Sequence, residues 1–479
     1  MKISERACCS TILVGKNASK TGKVIVAHNE DDFVCAVQSH VVPHRTHEEG
    51  EFLRFDDGTA LVPQVPETLG YYWSEQRCPG GEPFADAYIN ECGVAVVSNK
   101  GFETYFPATD EDHQGLGYGV RQIVAERAHT AREGVEVIKY LMDNFGYRSE
   151  RIYEIADKDE AWAVQVTHGR NFAARRIGDD EVYYMPNWLT IHEIDFSDTE
   201  HKKFYWSDTV VTDAIAMGRY TPAKEGDYSD FDFAEAYQKF NVMIPFNMFR
   251  SNYAWTYLVG EKMPYKTFSA KAPRKYGLEE MKEALRLTVQ GTEEDKSITE
   301  DWKGYGTGHE WTVESTIILF NDDPKLTVAY RAFPMPARAP FVPWYAGITR
   351  IPEGYEWIGW EASQASHFHV DMSEFKKHDN VAYRTFLDLA VAMGESEEFK
   401  EKVEKDIAAF EARIARYTPF IENAYRELAK TDPDAAVEFL TEFTAQQAKL
   451  AWDLAKDELD TQNWDKYSAL LNSWLPRLW

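Results

Sequence analysis

Short apolar runs bounded by glycine, asparagine or charge dominate the first hundred residues. Thr11-Ile12-Leu13-Val14, Val24-Ile25-Val26-Ala27 and Val94-Ala95-Val96-Val97 have this form, punctuated by Gly15, Gly22 and Gly93, and they predict strands. Because these runs are apolar at every position, the strands are expected to be buried between other layers. From Tyr118 to Phe145 the period changes. Val120, Ile123, Val124, Val135, Ile138 and Leu141 recur at steps of three and four, and a break near Thr130 predicts two helices rather than one. Strand character returns at Trp162 to Val166 and Val182 to Met185. It appears again, past an acidic and aromatic-rich middle, at Thr312 to Phe320 and Leu326 to Tyr330. Strand, helix, strand in this order predicts a layered α/β or α+β domain reaching to about residue 355.

Beyond residue 370 the pattern is helical. Val403, Ile407, Phe410, Ile414 and Tyr417 alternate steps of four and three, the mark of a helix with one packed side. Pro433, preceded by Thr431 and Asp432, sits where a proline opens a helix, and Val437, Leu440 and Leu454 supply apolar positions after it. There is no repeat or low-complexity linker, so residues 356–479 are expected to pack as a helical extension on a core spanning 9–355. An oligomer interface is the second reading of this tail.

Composition narrows the function classes. The 479 residues carry 52 basic and 79 acidic side chains, a formal charge of −27. Such a surface repels phosphate backbones and anionic headgroups, which argues against nucleic acid and membrane as partners. No apolar run approaches the ~18 residues of a membrane-spanning helix, and Met1 to Cys8 lacks the apolar core of a secretory signal. The expected location is the cytoplasm. The five cysteines, Cys8, Cys9, Cys35, Cys78 and Cys92, are odd in number and irregular in spacing. That argues against a disulfide framework and agrees with a reducing compartment. Neither a CxxC pair nor an HExxH motif occurs, so no metal or other cofactor is expected.

Three short segments carry candidate chemistry. Cys9 begins a buried-looking strand within ten residues of Met1. Were cleavage to expose it, one residue would hold both a thiol, of reference pKa about 8.5, and an α-amine, of about 7.7–8.0, and the amine could take the thiol proton near neutrality. Taken alone, such a cysteine is more often a small core residue. Ala27-His28-Asn29-Glu30-Asp31 ends the next strand in a polar cluster. The interval suits two strands joined by a turn that returns Asp31 to Cys9, where a carboxylate could orient the amine. Asn90-Glu-Cys-Gly leads into an apolar strand ending in Ser98-Asn99, and an asparagine so placed can donate to an oxyanion.

Cys-Ser-Thr-Ile-Leu-Val-Gly-Lys followed by Val-Ile-Val-Ala-His-Asn-Glu-Asp resembles the cysteine dipeptidase family of the PepD type. The likeness continues in order through Ala131 to Val135, Met185-Pro-Asn187, Phe246 to Arg250, Gly308-His-Glu310 and Val342 to Thr349. That family belongs to the N-terminal-nucleophile (Ntn) hydrolases, with bile salt hydrolases, penicillin V acylases and secernins as relatives. The resemblance implies an α+β fold, a four-layer αββα sandwich. It also implies removal of a propeptide, residues 1–8, ahead of the nucleophile. Cys9 is selected over Cys8 because the family motif places Thr two residues after the nucleophile, here Thr11.

By position, Asp31 resembles the acid that holds the α-amine, Asn99 and Asn187 the oxyanion and substrate-positioning asparagines, and Arg250 a cation near the thiolate. His28 and Asn29 fall at the substrate-binding side of the motif. One departure stands out: the family usually has arginine where this chain has His28, which is shorter and less basic. The implied activity is hydrolysis of dipeptides. The alternatives are an N-acyl amide hydrolase of the same fold and a secernin-like interaction protein without catalysis.

Overall fold

The computed structural model describes residues 9–31, 35–55, 59–78, 87–100, 103–107, 115–117, 119–239, 245–288, 306–309, 312–371, 373–374 and 380–469. In chain order the strands are β1 (Ser10–Val14), β2 (Ile25–Asp31), β3 (Ala36–Val42), β4 (Arg45–Thr46), β5 (Phe52–Leu53), β6 (Val62–Pro63), β7 (Glu67–Thr68), β8 (Tyr71–Arg77), β9 (Ala87–Asn90) and β10 (Ala95–Lys100). Helices α1 (Val120–Arg127) and α2 (Ala131–Asn144) precede β11 (Arg151–Ala156), β12 (Ala161–Val166), β13 (Phe172–Arg176), β14 (Glu181–Met185) and β15 (Phe204–Trp206). Then come α3 (Val210–Ala216), α4 (Phe233–Tyr237), α5 (Pro245–Val259), β16 (Ser269–Lys271), α6 (Leu278–Leu285), β17 (Thr312–Leu319), β18 (Val328–Ala332), β19 (Val342–Tyr345) and α7 (Trp360–Ser366). The tail forms three helices, Ala382–Glu395, Glu397–Ala429 and Pro433–Asp460.

Seven strands form one sheet in the order β16-β14-β1-β2-β17-β18-β19, and eight form another in the order β15-β13-β12-β11-β10-β9-β8-β3. The two are stacked face to face. Asn99 of β10 and Glu154 of β11 hydrogen-bond Thr11 of β1, and Arg331 of β18 reaches Ser39 of β3 and Ser74 of β8. Helices α1 and α2 cover the outer face of the eight-stranded sheet, while α5 and α6 lie on β14, β2 and β17. The expected αββα layering is therefore present. Alternation along each strand builds it: Ala95, Val97 and Ile152 pack in the core shared with the other sheet, and Val96, Tyr153 and Ile155 join α1 and α2 in a second core. Thr130 caps α2, its side chain accepting from Glu133 N, which is why the helical pattern breaks there.

One expectation holds and one needs correcting. The polar cluster His28 to Asp31 forms the last residues of β2, as expected, and is buried throughout. β2 is a central strand, paired on one side with β1 (Thr11 opposite His28) and on the other with β17 (Glu314 opposite Glu30), and internal partners keep its polar side chains satisfied. Against expectation, Cys35 and Cys78 form a disulfide. Ala36 pairs with Arg77 across β3 and β8, so the flanking cysteines face each other. That cystine removes the support that unpaired cysteines gave to a reducing compartment. Cys9 and Cys92 are free thiols.

The tail packs on the core. The Pro433–Asp460 helix, capped by Asp432, rests against β19, with Phe443 against Tyr345 and Trp452 against Tyr355. Glu411 from the Glu397–Ala429 helix is buried between Arg286 and Lys282. Val403, Ile407, Phe410 and Ile414 are buried as their period predicted, but Tyr417 is 49% exposed. Among the described residues no helix is long and apolar enough to cross a membrane.

Candidate active site

The antiparallel pairing of β1 and β2 decides what surrounds Cys9. Ser10 pairs with Asn29 and Thr11 with His28, so Cys9 lies across from Glu30. Side chains alternate, and His28 and Glu30 therefore share the inter-sheet face with Thr11 and Cys9 while Asn29 and Asp31 point the other way. Cys9 Sγ donates to Glu30 Oε1 at 3.0 Å. Each of these two residues is 1% exposed.

On the opposite face, Arg250 of α5 gathers three of the expected site residues. Its Nη1 donates to Asp31 Oδ2 at 2.9 Å, and its Nη2 donates to the Cys9 carbonyl oxygen at 3.0 Å and to Asn187 Oδ1. Asn247 Oδ1 stands 3.4 Å from the same nitrogen. Thr312 Oγ1 donates to Asp31 Oδ1 at 2.7 Å, and His309 Nε2 is 3.0 Å from Asp31 Oδ2. Arg250 was expected beside the thiolate; it contacts Cys9 through the main chain and is ion-paired to Asp31. Asn187 follows β14, whose Met185 pairs with Thr11. Its φ of 64° lies in the left-handed region that asparagine tolerates better than most side chains.

Asn99, on β10, lies on the inter-sheet side. Its Nδ2 donates to Thr11 Oγ1 at 2.8 Å and Glu154 Oε2 at 2.7 Å. His28 Nδ1 is 2.8 Å from Thr11 Oγ1, and its Nε2 is 3.3 Å from Glu30 Oε2. Asn29, expected beside the substrate, is committed elsewhere. Its amide donates to the carbonyls of Leu285 and Thr307 at 2.9 and 2.7 Å, and its oxygen accepts from Ser315. With donors and acceptor engaged on the α6 side, it braces β2 rather than lining the thiol's face.

Burial sets the charge states. It pushes the Cys9 thiol well up, and the Glu30 and Asp31 carboxylates add to that rise; a hydrogen bond from the Asp31 backbone opposes it. Burial also pulls His28 down to about 3, assisted by Arg121 and opposed by Asp31, so the imidazole is neutral at ordinary pH. Glu154 is raised well above the carboxylate range by burial, against the hydrogen bonds from Asn99 and Thr11, and is held protonated.

Sequence reasoning gave no role to Glu30, Thr11, Glu154 or Thr312. The signal for Glu30 was its place two residues after His28 and hence on the same face of a strand. Glu154 is a single acidic residue in the otherwise apolar stretch Ile152-Tyr-Glu-Ile155. Residues 1–8, Cys8 among them, lie outside the described residues, as does Glu310.

Comparison with known proteins finds several relatives. The probable dipeptidase of Salmonella dublin is 25% identical over 373 residues, 72% of this chain and 82% of that one. Probable dipeptidase B of Lactococcus lactis subsp. lactis is 23% identical over 469 residues, 92% of this chain and 96% of its own. Dipeptidase A of Lactobacillus helveticus is 25% identical over 372 residues, covering 73% and 77%. Among solved structures, penicillin V acylase from Agrobacterium tumefaciens is a distant likeness at 14% identity and a TM-score of 0.33, covering 68% of this chain and 83% of that one. The family model for peptidase family C69 matches residues 8–386, and the chain belongs to that family.

Proposed function

We propose that this protein is a cysteine dipeptidase whose nucleophile is Cys9, freed as the first residue by removal of residues 1–8. The observation that carries the reading is the position of Cys9 at the head of β1, its sulfur on Glu30 and its main chain tied through Arg250 to Asp31. The thiol is raised, so no standing thiolate is at hand and a base must act beside it. An α-amine on the same residue is such a base, with a reference pKa of about 7.7–8.0. Asp31, joined to the Cys9 backbone by one guanidinium, is within the group that would hold that amine.

In the proposed reaction the Cys9 proton passes to the α-amine and the sulfur attacks the scissile carbonyl. Asn187 and Asn99 stabilise the oxyanion. For Asn99 this requires the amide to be turned over, its oxygen accepting from protonated Glu154 and its N–H freed. Amide orientation follows the hydrogen-bond network, and a protonated Glu154 suits the turned form. The amine then protonates the leaving amino group, and water releases the acyl-enzyme.

The test is N-terminal mass analysis of wild type and Cys9→Ala, with hydrolysis measured on a panel of dipeptides and N-acyl amino acids. Wild type beginning at Cys9 and cleaving dipeptides, with the variant inactive, is the expected result. An active wild type still carrying Met1 sinks the mechanism, and cleavage of acyl amides alone would make it an acylase.

A further inference from the structure

We propose that the cavity at the open edge of the sandwich is a second binding site, one that takes a free α-amino acid with an apolar side chain. It stands apart from Cys9, and the proposal holds whatever reaction Cys9 performs.

Alternation along β13 leads to this cavity. Phe172 and Ala174 belong to the core under α1 and α2, and Ala173 to the core between the sheets. Arg175 therefore turns to the inter-sheet side, where a charge is not expected. The sheets end there, with β15 the edge strand of one and β16 of the other. Arg175 spans the two edges. Its guanidinium carbon is 5.5 Å from the ring centre of Phe204 in β15 and 4.4 Å from that of Phe268, which precedes β16. Stacking on rings uses the flat faces of a guanidinium and leaves its N–H edge for a carboxylate. Among the described residues that edge has neither an ion pair nor a hydrogen bond.

The cavity measures about 780 Å³, within the range of small-molecule sites. Ile177, Ile194 and Phe196 give it an apolar wall, and four carboxylates line it. Three of these are engaged. Glu181 accepts from Gly178 N at 3.0 Å and Ser269 Oγ at 2.7 Å, while Asp195 holds Ser197 and Asp227 holds Ser229. The fourth, Glu193, is exposed and makes no ion pair with Arg175. Burial draws the Arg175 guanidinium down, and Glu181 and Glu193 oppose that only through space. Of the other lining cations, Arg176 is paired with Glu160 and Asp179, and Lys203 is exposed at the rim. A stacked guanidinium and a separate carboxylate, set beside an apolar wall, match the two charges and the side chain of a free amino acid.

The strand register keeps this place away from the thiol. Val14 pairs with Val182, and Gly15 N donates to Glu181 O at 2.9 Å. The cavity is thus at the far end of β1 from Cys9, roughly 20 Å away at the rise of an extended strand.

The experiment is calorimetric titration of the whole chain with L-phenylalanine, 3-phenylpropionate, which lacks the ammonium, and phenethylamine, which lacks the carboxylate. Wild type is expected to bind phenylalanine saturably and phenethylamine about 10-fold or more weakly, the effect of leaving a part-buried guanidinium unmatched. Arg175→Met, which keeps an apolar stem between the rings, is expected to lose phenylalanine affinity by about the same factor, with Arg175→Lys in between. 3-Phenylpropionate should bind about 2- to 5-fold more weakly than phenylalanine, the scale of an exposed charge pair. Glu193→Gln should erase that preference. The proposal is overturned by an absence of saturable phenylalanine binding, by wild-type affinity in Arg175→Met, or by a preference that survives Glu193→Gln. Should Arg175→Met fail to fold, wild-type affinity in Arg175→Lys overturns it as well.

Discussion

Arg250 Nη1 lies 2.9 Å from Asp31 Oδ2 with both side chains sealed from solvent, and the same guanidinium holds the Cys9 carbonyl. A buried pair is costly to break on one side because the partner's charge is left unmatched. Arg250→Met is therefore expected to lower unfolding free energy by about 3–5 kcal/mol in urea melts. Combining it with Asp31→Leu should restore much of that stability, yet dipeptide hydrolysis should stay abolished, since the group proposed to hold the Cys9 amine is gone. Turnover in the stable double variant within tenfold of wild type would remove Asp31 from the mechanism.

Asn187 combines a left-handed backbone with an amide at the site, and two substitutions separate the roles. Asn187→Gly keeps the φ of 64° without strain but loses the amide. Its expected kcat is about 100- to 1,000-fold lower, the effect of removing one oxyanion donor, with little change in melting temperature. Asn187→Ala should lose the same activity and in addition melt lower. If the glycine variant keeps its kcat and only KM rises, Asn187 binds ground-state substrate instead.

Glu154 is a buried acid held protonated beside Asn99. Its folded pKa is above the unfolded one, so the folded state binds the extra proton; the associated stability is full below the unfolded value near 4.5 and is lost as pH rises through the folded value. Glu154→Gln keeps a hydrogen-bond donor and cannot ionise. It is expected to retain wild-type-like hydrolysis at pH 7 and to resist alkaline unfolding better than wild type, as read from urea midpoints at pH 7 and pH 9. Glu154→Ala, which leaves Asn99 unsupported, should lower kcat with KM little changed. Equal pH slopes for wild type and Glu154→Gln would mean the carboxyl is already ionised.

Where apolar period alone decides structure, the sequence was a sufficient guide: the strand at Thr11 to Val14, the helix pair broken at Thr130 and the helix opened by Pro433 all lie where expected. It placed His28 to Asp31 at the end of a strand, where they are, but did not show their burial. Nothing local reveals that β1 and β17 flank that stretch and supply partners for it. The cystine escaped for a similar reason, since Cys35 and Cys78 become neighbours only through the β3–β8 register. Family likeness placed Cys9, Asp31, Asn187 and Arg250 within one cluster. It could not show that Asn29 is engaged by Leu285 and Thr307, or that Glu30 faces the sulfur. Both depend on which side of β2 each side chain takes, and that is fixed by the sheet pairing.

His28 gives the site a pH signature that can be read without substrate. Burial holds its folded pKa near 3, against 6.5 for the free imidazole. Between these values the unfolded chain binds a proton that the folded one refuses, so stability falls as pH is lowered through the window and is complete above it. The slope for one such group is about 1.4 kcal/mol per pH unit. Carboxylates titrate in the same range, and the comparison must therefore be with His28→Gln, which is neutral at every pH and can still hydrogen-bond Thr11 or Glu30. Between pH 6.5 and 4.5 wild type is expected to lose about 2–3 kcal/mol more than this variant in urea unfolding. Parallel lines for the two proteins would mean that His28 is protonated in the fold. The imidazolium would then pair with Glu30, and the cation that the arginine of related chains supplies would be present here after all.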